Sequence, residues 1–315
     1  MNLLNQACHL LENENTAVRP RDDLGLPGGL INLSPQRTTV LLPDIHGRMD
    51  MVRDVQDLPL ISPEGQTSTL YAGLQENWAQ LVCVGDYVHG EARVFDRWIT
   101  AEQEYLEGYE NHRAMDQEMA ENLETVEMLL SMKLDFPDQV HLLKGNHENI
   151  TNQLGEGNFP FRKFVQEGPM VLAWMQKFYP PIILELFSRL EKNYPLLARS
   201  QDFLVTHAEP SRFFSPEEVL NYRTNPEVVA GLTWTDNNKS EPGSVEHMIQ
   251  NYLGVRPGSP EWESVFHFGG HRVIPGIFQT RAQGRYVQFH NAKLRIAAIL
   301  VPGQTIDLTR DIITF

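Results

Sequence analysis

Short runs of apolar, β-branched and aromatic residues recur along the chain, separated by longer stretches in which apolar positions return every three or four residues. Thr38–Leu42, Leu81–Val84, Gln139–Leu143, Asp202–Thr206 and Val265–Phe268 predict strands, followed by Arg285–Phe289, Leu294–Val301 and Thr305–Leu308. Several early runs are almost wholly apolar, which suits strands buried on both faces of a layered sheet. Between them, Met49–Leu58 sets Val52, Val55 and Leu58 on one helical face. Phe95–Leu134 predicts a long acidic helical region ending in the stripe Leu123, Val126, Leu129 and Leu130. Pro181–Leu197 carries Ile183, Leu186, Phe187 and Leu190 at helical spacing, and Ser215-Pro216-Glu217-Glu218 is a capped helix start. Strand then helix, repeated, then consecutive strands, predicts an α/β layered fold with mixed sheets flanked by helices. The Gly/Ser/Thr/Gln-rich loop Ile61–Asn77 and the acidic region at 95–134 read as insertions, either shaping access to a site or decorating the surface.

With 315 residues, the chain can form one large α/β domain or two small ones. A hydrophobic fraction of 41% and a charged fraction of 21% are ordinary for a globular protein. The two cysteines, Cys8 and Cys83, suggest neither a disulfide scaffold nor a thiolate metal site, and Cys83 reads as a small buried hydrophobe. Residues 1–12 lack the basic and apolar regions of a secretory leader, and no apolar stretch approaches the roughly 18 residues of a membrane span. A cytoplasmic protein without membrane contact is the expectation. The formal net charge of −15 disfavours nucleic acid as a partner, although bound cations would change the local balance.

Candidate chemistry sits just after the apolar runs. Asp44 and His46 follow the first, Asp86 the second, Asn146-His147-Glu148 the third, His207 the fourth and His271 the fifth. Ligands collect beyond the carboxyl ends of strands in open α/β sheets, so these residues are expected to converge. Two aspartates, one asparagine and three histidines suit Mn, Fe or Zn better than Ca or Mg. One carboxylate bridging two such ions would hold them about 3.5–4 Å apart, the spacing used for in-line displacement at phosphorus. Singly, each motif is weak, and His207 has the alternative of a buried histidine satisfied by backbone. His267 competes with His271 for the last position, but His271 follows Gly-Gly at the strand end. The remaining histidines, His290 among them, have no motif around them and read as structural or surface residues.

These blocks resemble the calcineurin-like metallophosphoesterase superfamily, most closely its phosphoprotein-phosphatase branch. The matching residues are Asp44-Ile45-His46-Gly47, Gly85-Asp86-Tyr87-Val88, Gly145-Asn146-His147-Glu148, His207 and Gly270-His271. Leu232–Asp236 and Gly284–Leu300 resemble later parts of that branch, so the likeness spans residues 38–300. The resemblance implies a metallophosphoesterase domain over 38–315, preceded by an N-terminal extension over 1–37. It implies two divalent transition metal ions, with Asp44 and His46 on one, Asp86 bridging, and Asn146, His207 and His271 on the other. It further implies attack by a metal-bridging hydroxide, with His147 as general acid. The chain departs from the pattern at His89-Gly90, where the branch has Asp-Arg: the aspartate orients the catalytic histidine and the arginine grips phosphate. Glu91, Arg93 or a residue from another loop could substitute for that pair, with Arg93 and Arg223 the candidates for the grip, and His89 is either a substrate contact or a loop histidine.

The expected activity is hydrolysis of phosphomonoesters, on phosphoserine/phosphothreonine protein or a small phosphometabolite, with Mn the expected metal in vitro. The alternatives are a nucleotide pyrophosphohydrolase or phosphodiesterase with the same ions, a nuclease, and a non-catalytic metal-binding scaffold. No phosphate loop, nucleophile elbow or dinucleotide fingerprint points elsewhere.

Overall fold

The run Thr38–Leu42 forms a strand buried on both faces: Val40 and Leu42 join one hydrophobic cluster and Leu41 another. That period-two split recurs through the computed structural model, which describes all residues from Met1 to Phe315. In chain order the strands are β1 (Leu30–Asn32), β2 (Thr38–Leu42), β3 (Pro59–Ile61), β4 (Thr67–Thr69), β5 (Ala79–Cys83), β6 (Val140–Leu142) and β7 (Leu197–Arg199). They continue as β8 (Phe203–Thr206), β9 (Phe266–Gly269), β10 (Gln279–Arg281), β11 (Tyr286–Gln288), β12 (Ile296–Leu300) and β13 (Ile312–Thr314). One sheet has the order β13-β12-β2-β5-β6, with β2, β5 and β6 parallel. The other has the order β1-β7-β8-β9-β11-β10, with β8, β9 and β11 parallel.

The two sheets share one apolar layer, in which Leu41, Val82 and Val84 meet Val205, Phe268 and Val287. Each such side chain contributes about 1.5–3 kcal/mol by leaving water. Outside the first sheet lie α1 (Asn2–Glu12), α2 (Met49–Gln56), α3 (Leu70–Gln75), α4 (Phe95–Leu106), α5 (Arg113–Asp135), α6 (Glu167–Phe178) and α7 (Pro181–Lys192), which enclose Val40, Leu42, Leu81 and Cys83. Outside the second, α8 (Pro216–Leu220), α9 (Pro226–Thr233) and α10 (Ser244–Leu253) cover Leu197, Leu204 and Tyr286. The result is four layers, helix–sheet–sheet–helix, with mixed sheets as expected. Ser215 caps α8 with a reciprocal capping box.

Several expected elements differ. Ile61–Asn77 is not a loop: β3 pairs with β4, Thr69 Oγ1 accepts from Ala72 N, and Leu70 and Leu74 of α3 enter the core. The helical region 95–134 is two helices, broken where Gly108 and Tyr109 take positive φ of 71° and 58°. The helix from Pro181 ends at Lys192, because Pro195 cannot continue it and Leu197 opens β7. Thr305–Leu308 is not a strand; Asp307 instead caps the short α11 (Leu308–Asp311), and Ile312–Thr314 forms the edge.

Residues 1–37 are integrated with the rest of the chain. Leu4, Ala7, Cys8 and Leu11 of α1 are buried in the main cluster, and β1 pairs with β7. Buried Glu14 pairs with Arg19 and with Lys133 of α5. Burial opposes its ionisation, but those two cations hold its carboxyl down at about 2.

Candidate metal centre

β2, β5 and β6 run parallel, as do β8, β9 and β11, and the residues just past these strands meet at one spot. There the chain turns back sharply, and four non-glycine residues take left-handed backbone: His46 (φ 50°), Asp86 (52°), His89 (66°) and His271 (64°). Such conformations cost on the order of 1 kcal/mol each and persist where surroundings over-determine them. The turns need two glycines for close approach. A Cβ on Gly145 would lie 2.2 Å from Asp86 Oδ1, and one on Gly270 only 1.8 Å from Asp44 Oδ1.

Two groups of donors share Asp86. In the first, His46 Nε2 lies 3.9 Å from Asp44 Oδ2 and 3.8 Å from Asp86 Oδ2. His46 Nδ1 is 2.9 Å from the His89 carbonyl, which can only accept, so Nδ1 carries the hydrogen and Nε2 offers a lone pair. In the second, His207 Nε2 is 3.3 Å from Asp86 Oδ2 and 3.0 Å from Asn146 Oδ1, while His207 Nδ1 faces the Val84 carbonyl at 3.2 Å. His271 Nδ1 is 2.9 Å from the same Asn146 oxygen. All six are buried or nearly so.

Glu148 and α5 hold this arrangement from behind. Glu148 accepts from the backbone N–H groups of Asp86, Tyr87 and Gly145, and His147 N donates to Asp86 Oδ1 at 2.9 Å, leaving Asp86 Oδ2 for the cluster. On α5, Asn122 Oδ1 accepts from His89 N and Glu118 Oε1 from Gly90 N. The acidic helix thus clamps the loop that departs from the family pattern.

Burial opposes a charged Asp86, but the imidazoles of His147, His207 and His46 hold its carboxyl well below the usual range. Burial likewise opposes a charged His207, yet Asp86 and Asp44 push it up to about 9. The cluster therefore demands positive charge, which a proton supplies when no cation does. With carboxylate oxygens, an amide oxygen and imidazole nitrogens whose far sides are fixed by carbonyls, the residues fit divalent metal ions. Asp44, His46 and Asp86 could hold one, since His46 Nε2 lies within 4 Å of both carboxylates, and Asp86, Asn146, His207 and His271 another.

His147 Nε2 is 3.7 Å from Asp86 Oδ2, and its Nδ1 is 3.1 Å from His89 Nδ1. Phe161 stacks on His89 with ring centroids 5.2 Å apart and lies 3.7 Å from the His147 ring. Burial pushes the His147 imidazole well below its usual value, and Asp86 opposes that.

The two arginines proposed for phosphate fare differently. Arg93 reaches the His46 carbonyl at 3.1 Å and pairs with Glu121. Arg223 is not brought to the cluster: Asp22, the Pro27 carbonyl and Asn193 satisfy it. The cations at the mouth are instead Lys163, Lys239 and Arg272, which with His271, Asp236 and Asn237 line an open pocket of about 450 Å³. His267 stays inside β9, fully buried with Nε2 2.7 Å from Thr206 Oγ1.

Two residues were missed as members of the cluster. His290 is no isolated structural histidine: its Nε2 lies 4.0 Å from Asp44 Oδ2, and it groups with Asp44 and His46. Its signal was present, since it follows the run Tyr286–Phe289 as His207 follows its own. Glu91, expected only as a substitute for the absent Asp-Arg pair, lies 2.9 Å from His290 Nε2 and 3.7 Å from His46 Nε2.

A family model for calcineurin-like phosphoesterases matches residues 38–294. No curated protein sequence matches. Among solved structures, the chain is similar to a protein serine/threonine phosphatase from Saccharomyces cerevisiae with similarity to human phosphatase PP5. That likeness has 15% identity and a TM-score of 0.61, covering 100% of this chain and 87% of the other. It shows the shared fold. A cold-active protein-tyrosine phosphatase from a psychrophilic Shewanella matches at 15% identity with a TM-score of 0.47, covering 86% of this chain and 78% of that one. That score is too low to argue a shared fold.

Proposed function

The chain belongs to the calcineurin-like phosphoesterase family, and on that premise we propose that it hydrolyses phosphomonoesters, on phosphoserine/phosphothreonine protein or a small phosphometabolite. The observation that carries this reading is the convergence of Asp44, His46, Asp86, Asn146, His207 and His271 on one spot, with His147 beside Asp86. Two divalent ions there, Mn foremost, would lower the pKa of the water between them and so supply the nucleophile. The chain's own residues do the rest. Asp86 serves both donor groups, and His207 and His46 present lone pairs fixed by the Val84 and His89 carbonyls.

His147 Nε2 is the group aimed into the cluster and serves as general acid to the leaving oxygen. A phosphate dianion brought beside it favours its protonated form, as Asp86 already does. His89 stands where the family's orienting aspartate would, and its Nδ1 contact with His147 takes over that positioning. Gly90 leaves no arginine for phosphate, and Lys163, Lys239 and Arg272 around the mouth supply the cationic grip.

The test is hydrolysis of p-nitrophenyl phosphate and bis(p-nitrophenyl) phosphate by metal-stripped protein reloaded with Mn²⁺, beside Asp86→Asn. Metal-dependent monoester turnover, absent from the variant, is expected. The missing arginine at Gly90 favours one second reading, a nucleotide pyrophosphohydrolase or phosphodiesterase; diester preference would put that reading first. Metal binding without turnover of either compound would support a non-catalytic scaffold.

A further inference from the structure

The two donor groups around Asp86 are unequal. On the Asn146 side the only carboxylate is Asp86 itself, and His271 opens onto the pocket lined by Lys163, Lys239 and Arg272. On the Asp44 side two further buried side chains close in. His290, fully buried past the end of β11, has Nε2 4.0 Å from Asp44 Oδ2. Glu91 Oε1 is 3.7 Å from His46 Nε2, and Glu91 Oε2 is 2.9 Å from His290 Nε2. Donors about 2.0–2.2 Å from one ion lie no more than about 4.4 Å apart, and every one of these separations is within that limit.

We propose that Glu91 and His290 complete the first cation site, so that five side chains (Asp44, His46, Asp86, Glu91 and His290) rather than three hold that ion. This rests on the metal-dependent reading above. Three carboxylates, one of them shared, then surround the first ion, against the single shared carboxylate of the second site. Each added anion strengthens the hold on a dication in a buried setting, so the first ion is bound much more tightly and is shut off from solvent. Lys163 Nζ, 2.5 Å from Glu91 Oε1, neutralises that carboxylate in the ion's stead and is released to the adjacent mouth when the ion binds. A structural ion pair between Glu91 and His290 is the competing account. It explains their 2.9 Å contact but not why both face His46 and Asp44.

The test is metal content and affinity, read without turnover. Protein loaded with Mn²⁺ and dialysed against a graded chelator should lose one equivalent readily and keep the other. Glu91→Gln and His290→Gln should weaken the retained equivalent at least ~10–100-fold and leave the labile one in place. Far-ultraviolet circular dichroism of the metal-free variants checks that they fold. A second measurement avoids those variants: pulsed electron paramagnetic resonance of His207→Ala carrying one Mn²⁺ should count two imidazole nitrogens at the tight site, His46 and His290. One imidazole, or unchanged retention in both glutamine variants, overturns the proposal. Because binding is measured directly, failure here with intact turnover leaves the phosphoesterase reading standing, whereas tight binding without turnover does the reverse.

Discussion

His89 and His147 face each other through their Nδ1 atoms, 3.1 Å apart, beneath the ring of Phe161. One of the two must donate and the other accept, so the pair fixes a tautomer for each ring. A carboxylate in the place of His89 would favour a charged His147; an imidazole orients it without adding that charge. If His89 positions His147, His89→Ala should lower kcat about 10–100-fold with metal content unchanged. His89→Asp should recover much of that loss and shift the basic limb of the kcat–pH profile upward, because the acid form of His147 then persists to higher pH, a change a packing role would not produce.

Asp86 and His147 separate binding from chemistry. Asp86 serves both donor groups, so Asp86→Asn should reduce bound metal and abolish turnover together. His147→Ala should keep the metal and lower kcat about 10²–10⁴-fold, the usual contribution of a general acid. Metal analysis beside single-substrate kinetics reads both, and full activity in either variant would sink the mechanism.

Gly270 packs against Asp44 so closely that any side chain must displace the carboxylate. Gly270→Ala should therefore lose metal affinity and destabilise the fold by about 1–3 kcal/mol, as overpacking does. Thermal melting and metal content of the purified variant measure the two effects.

Glu191 predicts a pH dependence away from the cluster. Burial pushes its carboxyl up to about 8, with Lys144 opposing, while its oxygen accepts from Ile150 N. The folded protein thus binds more protons than the unfolded chain between about pH 4.5 and 8, and stability falls as pH rises through that window. Glu191→Gln should therefore make the melting temperature of metal-free protein fall less, or rise more, between pH 5.5 and pH 8 than it does in the parent.

Removing metal should itself lower the melting temperature. A ligand at 100 times its Kd adds about 2.7 kcal/mol to the folded state. Calorimetry with and without chelator reads the difference, and Asp86→Asn should show little of it.

The chain's own pattern specified much of this. Apolar runs buried on both faces, such as Leu81–Val84, made strands because no other local arrangement hides successive Val and Leu side chains on two sides. Where those strands ended, Asp44, His46, Asp86, Asn146, His207 and His271 were legible, since a polar side chain directly after a buried strand has few places to go but the sheet's edge. Alternating composition misled where chain punctuation was weak: the polar stretch 61–77 hid a hairpin and a capped helix, and Gly108 hid a helix break. The placement of Glu91 and Lys163 was decided by tertiary structure, because their positions matter only through distances to His46 and to each other across different loops; His290 carried a local signal, but its nearness to Asp44 is tertiary. Asn122 and Glu118 were equally invisible, because what they hold, the His89-Gly90 backbone, is about thirty residues away in sequence. Local sequence determines which face of an element is apolar; through-space electrostatics, which depend on where the ends of many elements meet, decide what the polar residues there can do.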